Sequence, residues 1–189
     1  MDEIQFTGSI DCTTLSDSAK KSLLVDNAGG KSAVSEAFSI YYFGWIRGAT
    51  DFVFEKEVDY WISYKMVDFI CTVKGKRVGV SVTRAMGFPS PNYFGYDDAV
   101  ILLRKKLFGL IVARDCVMTK HSFSCSVLHV WCQTKAIANH VRDAYSSFDV
   151  KDFGLDVASH VLLMLTVCGE RMIYSETKND IYNLVKDYV

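Results

Sequence analysis

Proline is nearly absent from this chain. Only Pro89 and Pro91 occur among 189 residues, and they sit together, so regular structure is expected to run almost unbroken on either side of them. A membrane-length apolar run is missing as well. The longest, 161-VLLMLTVCG-169, falls far short of the ~18 residues a spanning helix needs, so no membrane partner is expected. The start, MDEIQFTGSID, is acidic and has no basic, apolar leader, so no secretory signal is expected either. There is no CxxC pair. The six cysteines (Cys12, Cys71, Cys116, Cys125, Cys132 and Cys168) are dispersed in apolar surroundings. They read as free thiols in a reducing, intracellular compartment, cytoplasm or nucleus. A surplus of positive charge is also missing, since 21 Lys and Arg face 22 Asp and Glu for a net charge of −1. Proteins held to phosphates by bulk attraction are more basic, so any nucleic-acid contact is expected to be a local patch.

What is present is apolar material in regular periods. Half of the residues are hydrophobic, enough for one core and one domain over 1–189. Residues 1–30 are polar and glycine-rich at Gly29-Gly30, and predict an irregular arm with one short element near 19–25. In 32-SAVSEAFSIYYFGWIRGA-49, Ser32 is placed to cap a helix, and Val34, Phe38, Tyr41, Tyr42 and Trp45 recur at helical spacing. Strands are predicted at about 51–60, 64–73 and 77–84, the last two joined as a hairpin through Lys74-Gly75-Lys76. After a loop over 85–96, the longest helix is predicted at 97–117 and opens on Asp97 and Asp98, as its dipole prefers. A strand at 124–133 and a helix at 134–147 follow. Over 148–189 the pattern predicts a hairpin (160–167 and 171–175) and a helix (177–187) capped near Ser175. Apolar strands between helices make this an α/β domain with a mixed sheet.

Two acids stand out in that order. Glu36 lies near the start of the first long helix, and Asp68 interrupts the apolar run 67-VDFICTV-73. A carboxylate among apolar strand residues is costly unless it is paired or ligating. The order helix, three strands, helix, strand over 32–147, with an acid on the helix and another on the second strand, resembles the PD-(D/E)XK nuclease superfamily. The resemblance implies a restriction-endonuclease-like αβββαβ core, with the C-terminal hairpin and helix as additions. It also implies Mg²⁺-dependent phosphodiester hydrolysis of DNA or RNA, with Glu36 and Asp68 as metal ligands, and it allows a homodimer or another protein partner. Hard oxygen donors suit this metal, which keeps several waters and needs few carboxylates beside a scissile phosphate.

The third strand departs from the family pattern. Ser81 stands where a second acid belongs and Thr83 where the lysine belongs, both on the face of Gly79 and opposite Val78, Val80 and Val82. Loss of the lysine removes a transition-state contact typically worth ~3 kcal/mol. A replacement acid is available at Glu55 or Glu57, and a replacement cation at Lys65, Arg84 or Lys105. Arg84 points to the face opposite Thr83, so Lys105 is preferred. The plain alternatives are a solvated Glu36, an Asp68 salt-bridged to an arginine, and Ser81 and Thr83 as small residues that admit a close helix. They predict a catalytically inactive member acting as an interaction or assembly module.

Three further patterns carry weaker chemistry. In 23-LLVDNAGGKSAVSEA-37 a phosphate loop is imitated, but Val25 stands where its first glycine belongs, which favours a linker running into a helix cap. Cys125 and His129 share a strand face while Cys132 does not, so zinc is not expected. Lys74, Lys76 and Arg77 at the hairpin tip are the preferred phosphate contacts, and Phe88, Tyr93, Phe94 and Tyr96 offer rings to bases or to the core.

Overall fold

The computed structural model describes residues 2–5, 15–24, 32–62, 64–154 and 157–174. It is an α/β layer structure around one mixed six-stranded sheet in the order β1-β6-β5-β4-β3-β2. The strands are β1 (Asp2–Gln5), β2 (Thr50–Phe54), β3 (Phe69–Val73), β4 (Lys76–Ala85), β5 (Cys125–Cys132) and β6 (Val161–Val167). The helices are α1 (Asp17–Leu24), α2 (Ala33–Arg47), α3 (Tyr96–Cys116) and α4 (Lys135–Ser147), with single turns α5 (Val150–Phe153) and α6 (Val157–His160). Strands β2, β3 and β4 form an antiparallel meander, while β4, β5, β6 and β1 run parallel. Parallel strands need long crossovers, and α3 and α4 provide them.

Strands β5 and β6 are largely buried on both faces and read as nearly continuous apolar runs, whereas β4 alternates its valines with Gly79, Ser81 and Thr83, buried on the opposite face. On one face α1 and α2 cover Phe69, Val80, Val82, Val127 and Trp131, with Phe38, Ile40 and Phe43 filling the gap. On the other, α3 brings Ala99, Leu103, Leu107 and Leu110, and α4 brings Ile137 and Val141, onto Ile70, Leu128, Val130, Leu163 and Leu165. The β3–β4 turn is tighter than the expected Lys-Gly-Lys. Val73 pairs with Lys76, and the two central residues, Lys74 and Gly75, both take positive φ (49° and 75°), as a type I′ hairpin requires. Gly79 has a packing reason, since a Cβ there would lie 2.6 Å from the Phe123 ring.

Several boundaries differ from the pattern-based expectation. Strand β2 stops at Phe54 rather than about 60, because the Glu57 carboxylate takes the Phe54 N–H at 3.0 Å and closes a 3-10 turn over Glu55–Glu57. Strand β3 begins at Phe69, so Asp68 stands at its mouth rather than inside it. The preceding chain is drawn away over α3, where the Trp61 N–H meets the Cys116 carbonyl. The terminal hairpin does not form. Arg171–Tyr174 is a 3-10 turn, and β6 finds parallel partners in β5 and β1 instead of an antiparallel return. The arm expected to be irregular contributes β1 to the sheet edge, and the one short element expected near 19–25 is the two-turn α1. The 177–187 helix, its Ser175 cap and the glycines and lysine of the phosphate-loop imitation fall outside the described residues.

Candidate functional site

The site forms where β3 gives out alongside β4. Asp68 donates its N–H to the Val80 carbonyl, the last regular contact between these strands. Val82, two residues on, turns its N–H and C=O to the same edge, where no strand partner remains. Side chains take the strand's place. The Val82 N–H donates to Asp68 Oδ2 at 2.6 Å, and the Ser81 hydroxyl donates to the same oxygen at 3.0 Å. The Val82 carbonyl accepts from Lys106 Nζ at 2.9 Å. One strand residue thus ties an acid at the mouth of β3 and a base from α3 to a common point.

Glu36 reaches the same region from the first turn of α2. It is buried, with 8 % of its surface exposed, so it is not a solvated helix residue. Burial pushes its carboxyl up to about 7. The neighbouring Asp68 carboxylate adds to the rise, the Ser32 hydroxyl opposes it, Glu55 raises it further and Lys106 pulls it back. Ser32 therefore does not act as the expected side-chain cap. Its hydroxyl donates to Glu36 Oε1 at 2.5 Å. Tyr60 lies within the same field. Its hydroxyl accepts the Val67 N–H at 3.0 Å, and burial first, then Glu55 and Asp68, hold its own proton on up to about 12.

Of the residues singled out from sequence, Glu36, Asp68 and Ser81 are brought together, and Ser81 serves Asp68 as a donor. Thr83 is buried one pleat further along the same strand face. Lys105 is not part of the site. It is exposed on the outer side of α3, in a shallow apolar depression with Ile101, Phe108 and Phe153. Lys106, the next residue, is the α3 lysine that reaches the β4 edge. Helical phase accounts for the difference. Position 106 follows Leu103 by three and precedes Leu110 by four, so it borders the buried stripe, whereas 105 lies nearly opposite. That signal was in the sequence. Glu55 is the nearby replacement acid, and its N–H donates to the Asp68 carbonyl. Glu57 is spent on the Phe54 N–H and on Lys21. Tyr60 had no periodic signature and was missed.

The tip cations lie elsewhere. The Val73–Lys76 pair closes the hairpin five residues from Asp68, about 17 Å along the strand. Lys74 and Lys76 are exposed there, but Arg77 is half-buried and donates from Nη1 to the Lys120 carbonyl at 2.6 Å, bracing the tip. His129 is fully buried, with Nε2 2.9 Å from Thr166 Oγ1, and burial, with a smaller push from Arg47, lowers its pKa to about 3. It packs against Tyr42, Phe43 and Trp131 as a core residue. The five described cysteines are free thiols.

Among the described residues no cluster of three or more His, Cys, Asp or Glu side chains is arranged to hold a metal, and no helix is long and apolar enough to cross a membrane. The carboxylates at the β4 edge still suit magnesium, which is commonly held by one or two carboxylates plus substrate phosphates. Two acids near enough that the Asp68 carboxylate raises the proton affinity of Glu36 are oxygen donors whose mutual repulsion a dication relieves.

No family model and no solved structure matches the chain. It is similar to the AAC-rich mRNA clone AAC4 protein of Dictyostelium discoideum, with 31% identity over 69% of this chain. The matched stretch is 20% of that relative, so the chain spans about a fifth of its length. The relative's name refers to an mRNA clone and to no activity.

Proposed function

We propose that this chain is a divergent member of the PD-(D/E)XK superfamily with a restriction-endonuclease-like core, binding DNA or RNA and hydrolysing phosphodiester bonds with Mg²⁺. One observation carries the reading: Glu36, Asp68 and Lys106, from α2, the mouth of β3 and α3, act on one another at the open edge of β4. The element order α2-β2-β3-β4-α3-β5 and its strand directions support it. Glu36 and Asp68 would hold the metal, which when bound supplies charge neutralisation at the phosphate and a more acidic water. The Ser81 hydroxyl and the Val82 N–H fix the Asp68 carboxylate in place before substrate arrives. Lys106 spends one of its three donors on the Val82 carbonyl and keeps the others for a phosphoryl oxygen. Ser32 holds Glu36 in its rotamer.

A second reading rests on Ser81 and Thr83, which leave the third strand without its acid and lysine. There the same cleft binds nucleic acid or a protein, a second copy included, without chemistry. The test is Mg²⁺ or Mn²⁺ titration with branched, single-stranded and duplex substrates, beside Asp68→Asn. Hydrolysis lost in that variant supports the nuclease. Hydrolysis unchanged in it removes Asp68 from the mechanism, and binding without hydrolysis by the wild type favours the second reading.

A further inference from the structure

The segment between β2 and β3 makes an excursion that the nuclease reading leaves unused. It leaves the site at Glu55, reaches the far end of α3 and returns to Asp68. Tyr60 bridges to Val117, the Trp61 N–H donates to the Cys116 carbonyl at 2.8 Å, and the Lys65 side chain lies over Gly109. Seven helical residues separate Cys116 from Gly109, about 10 Å, and Gly109 stands three residues, about 5 Å, from Lys106. The loop therefore lies along α3 and leads toward the carboxylates. From Tyr64 to Asp68 the chain spans four residues, at most ~14 Å.

What the loop exposes is unusual for a solvated surface. Trp61 is 70 % exposed, Ile62 63 % and Tyr64 63 %. Lys65 Nζ sits 5.0 Å from the Tyr64 ring centre. The nearby acids are neutralised in place, Asp59 by Lys120 and Asp115 by Arg114. The track thus presents flat rings and a cation, with these two acids paired.

Resting on the nuclease reading for its destination, we infer that this loop is a stacking platform for single-stranded nucleic acid, with Trp61 and Tyr64 each taking a base and Lys65 a backbone phosphate on the way to the Glu36/Asp68 pocket. Duplex bases hide their faces in the stack, so exposed rings of this kind select unpaired strands.

The test is fluorescence anisotropy with a short labelled oligodeoxythymidine, in chelator so that binding is read without cleavage. Trp61→Ala and Tyr64→Ala each weaken binding about tenfold, Trp61→Phe restores most of the loss at that position, and Lys65→Ala flattens the dependence of log affinity on log salt by about 0.7. A duplex of equal length binds more weakly and ignores the ring substitutions. Unchanged affinity in the double alanine variant, or equal losses on duplex, overturns the platform. So does a wild type that binds no oligonucleotide and self-associates through these rings. The two proposals fail separately. Asp68-dependent hydrolysis with indifferent rings removes the platform alone, and ring-dependent binding without any hydrolysis removes the nuclease alone.

Discussion

A carboxyl that is harder to ionise in the folded protein than in the unfolded chain works against stability once the pH exceeds its ordinary value. Glu36 is such a group, held near 7 against an ordinary 4.5 by burial and by Asp68. Folding takes up a proton between those values, so this contribution to stability is greatest below pH 4.5 and is lost as pH rises through about 7. Glu36→Gln keeps an acceptor for the Ser32 hydroxyl and removes the charge. It is expected to stabilise the protein by about 2–3 kcal/mol at pH 8 and by almost nothing at pH 4.5, read from urea melts of both proteins at the two pH values. At the same scale, Lys106→Ala should lower any phosphodiester turnover by about two to three decades while Lys105→Ala leaves it near wild type. Their neighbouring numbers conceal different helix faces, about 100° apart, one on the Val82 carbonyl and the other in solvent.

At the scale of the element, β4 organises the molecule. Its first half is paired on both sides, and its second half has β5 on one edge and side chains on the other. That change of partner creates the site, and it depends on β3 starting late. Close approach on the Gly79 face is also required. An added methyl 2.6 Å from the Phe123 ring forces that buried ring to move, so Gly79→Ala is expected to cost about 1–3 kcal/mol in chemical denaturation. The hairpin, the long α3 and the β5–α4 unit were legible because their periods are clean. The terminal hairpin was not. An apolar run followed by Gly169-Glu170 fits a hairpin as well as a parallel strand, and only the presence of β5 and β1 as neighbours chose the second.

For the whole molecule, the sheet holds α1 and α2 against one face and α3 and α4 against the other. The acids and the base come from separate layers and meet only at the sheet's open edge. A divalent ion bound there stabilises the folded state by mass action and competes with the Glu36 proton. Excess magnesium or manganese should raise the melting temperature by a few degrees at pH 8, by less at pH 5.5, and not at all in Asp68→Asn. Differential scanning calorimetry under the three conditions decides the matter.

By itself the chain's alphabet settled an α/β class, most element positions, an acid that has no business among apolar strand residues, and the face shared by Ser81 and Thr83. Local periodicity reports these because burial acts on each residue's own side of its own element. Which cation completes the pocket, that Glu55 rather than Glu57 stands nearby, that Ser32 serves Glu36 instead of capping its helix, and that the last strand runs parallel were decided by the tertiary structure. Those outcomes depend on contacts between residues tens of positions apart, where competing partners of equal local merit are separated only by which one the packed layers bring within reach.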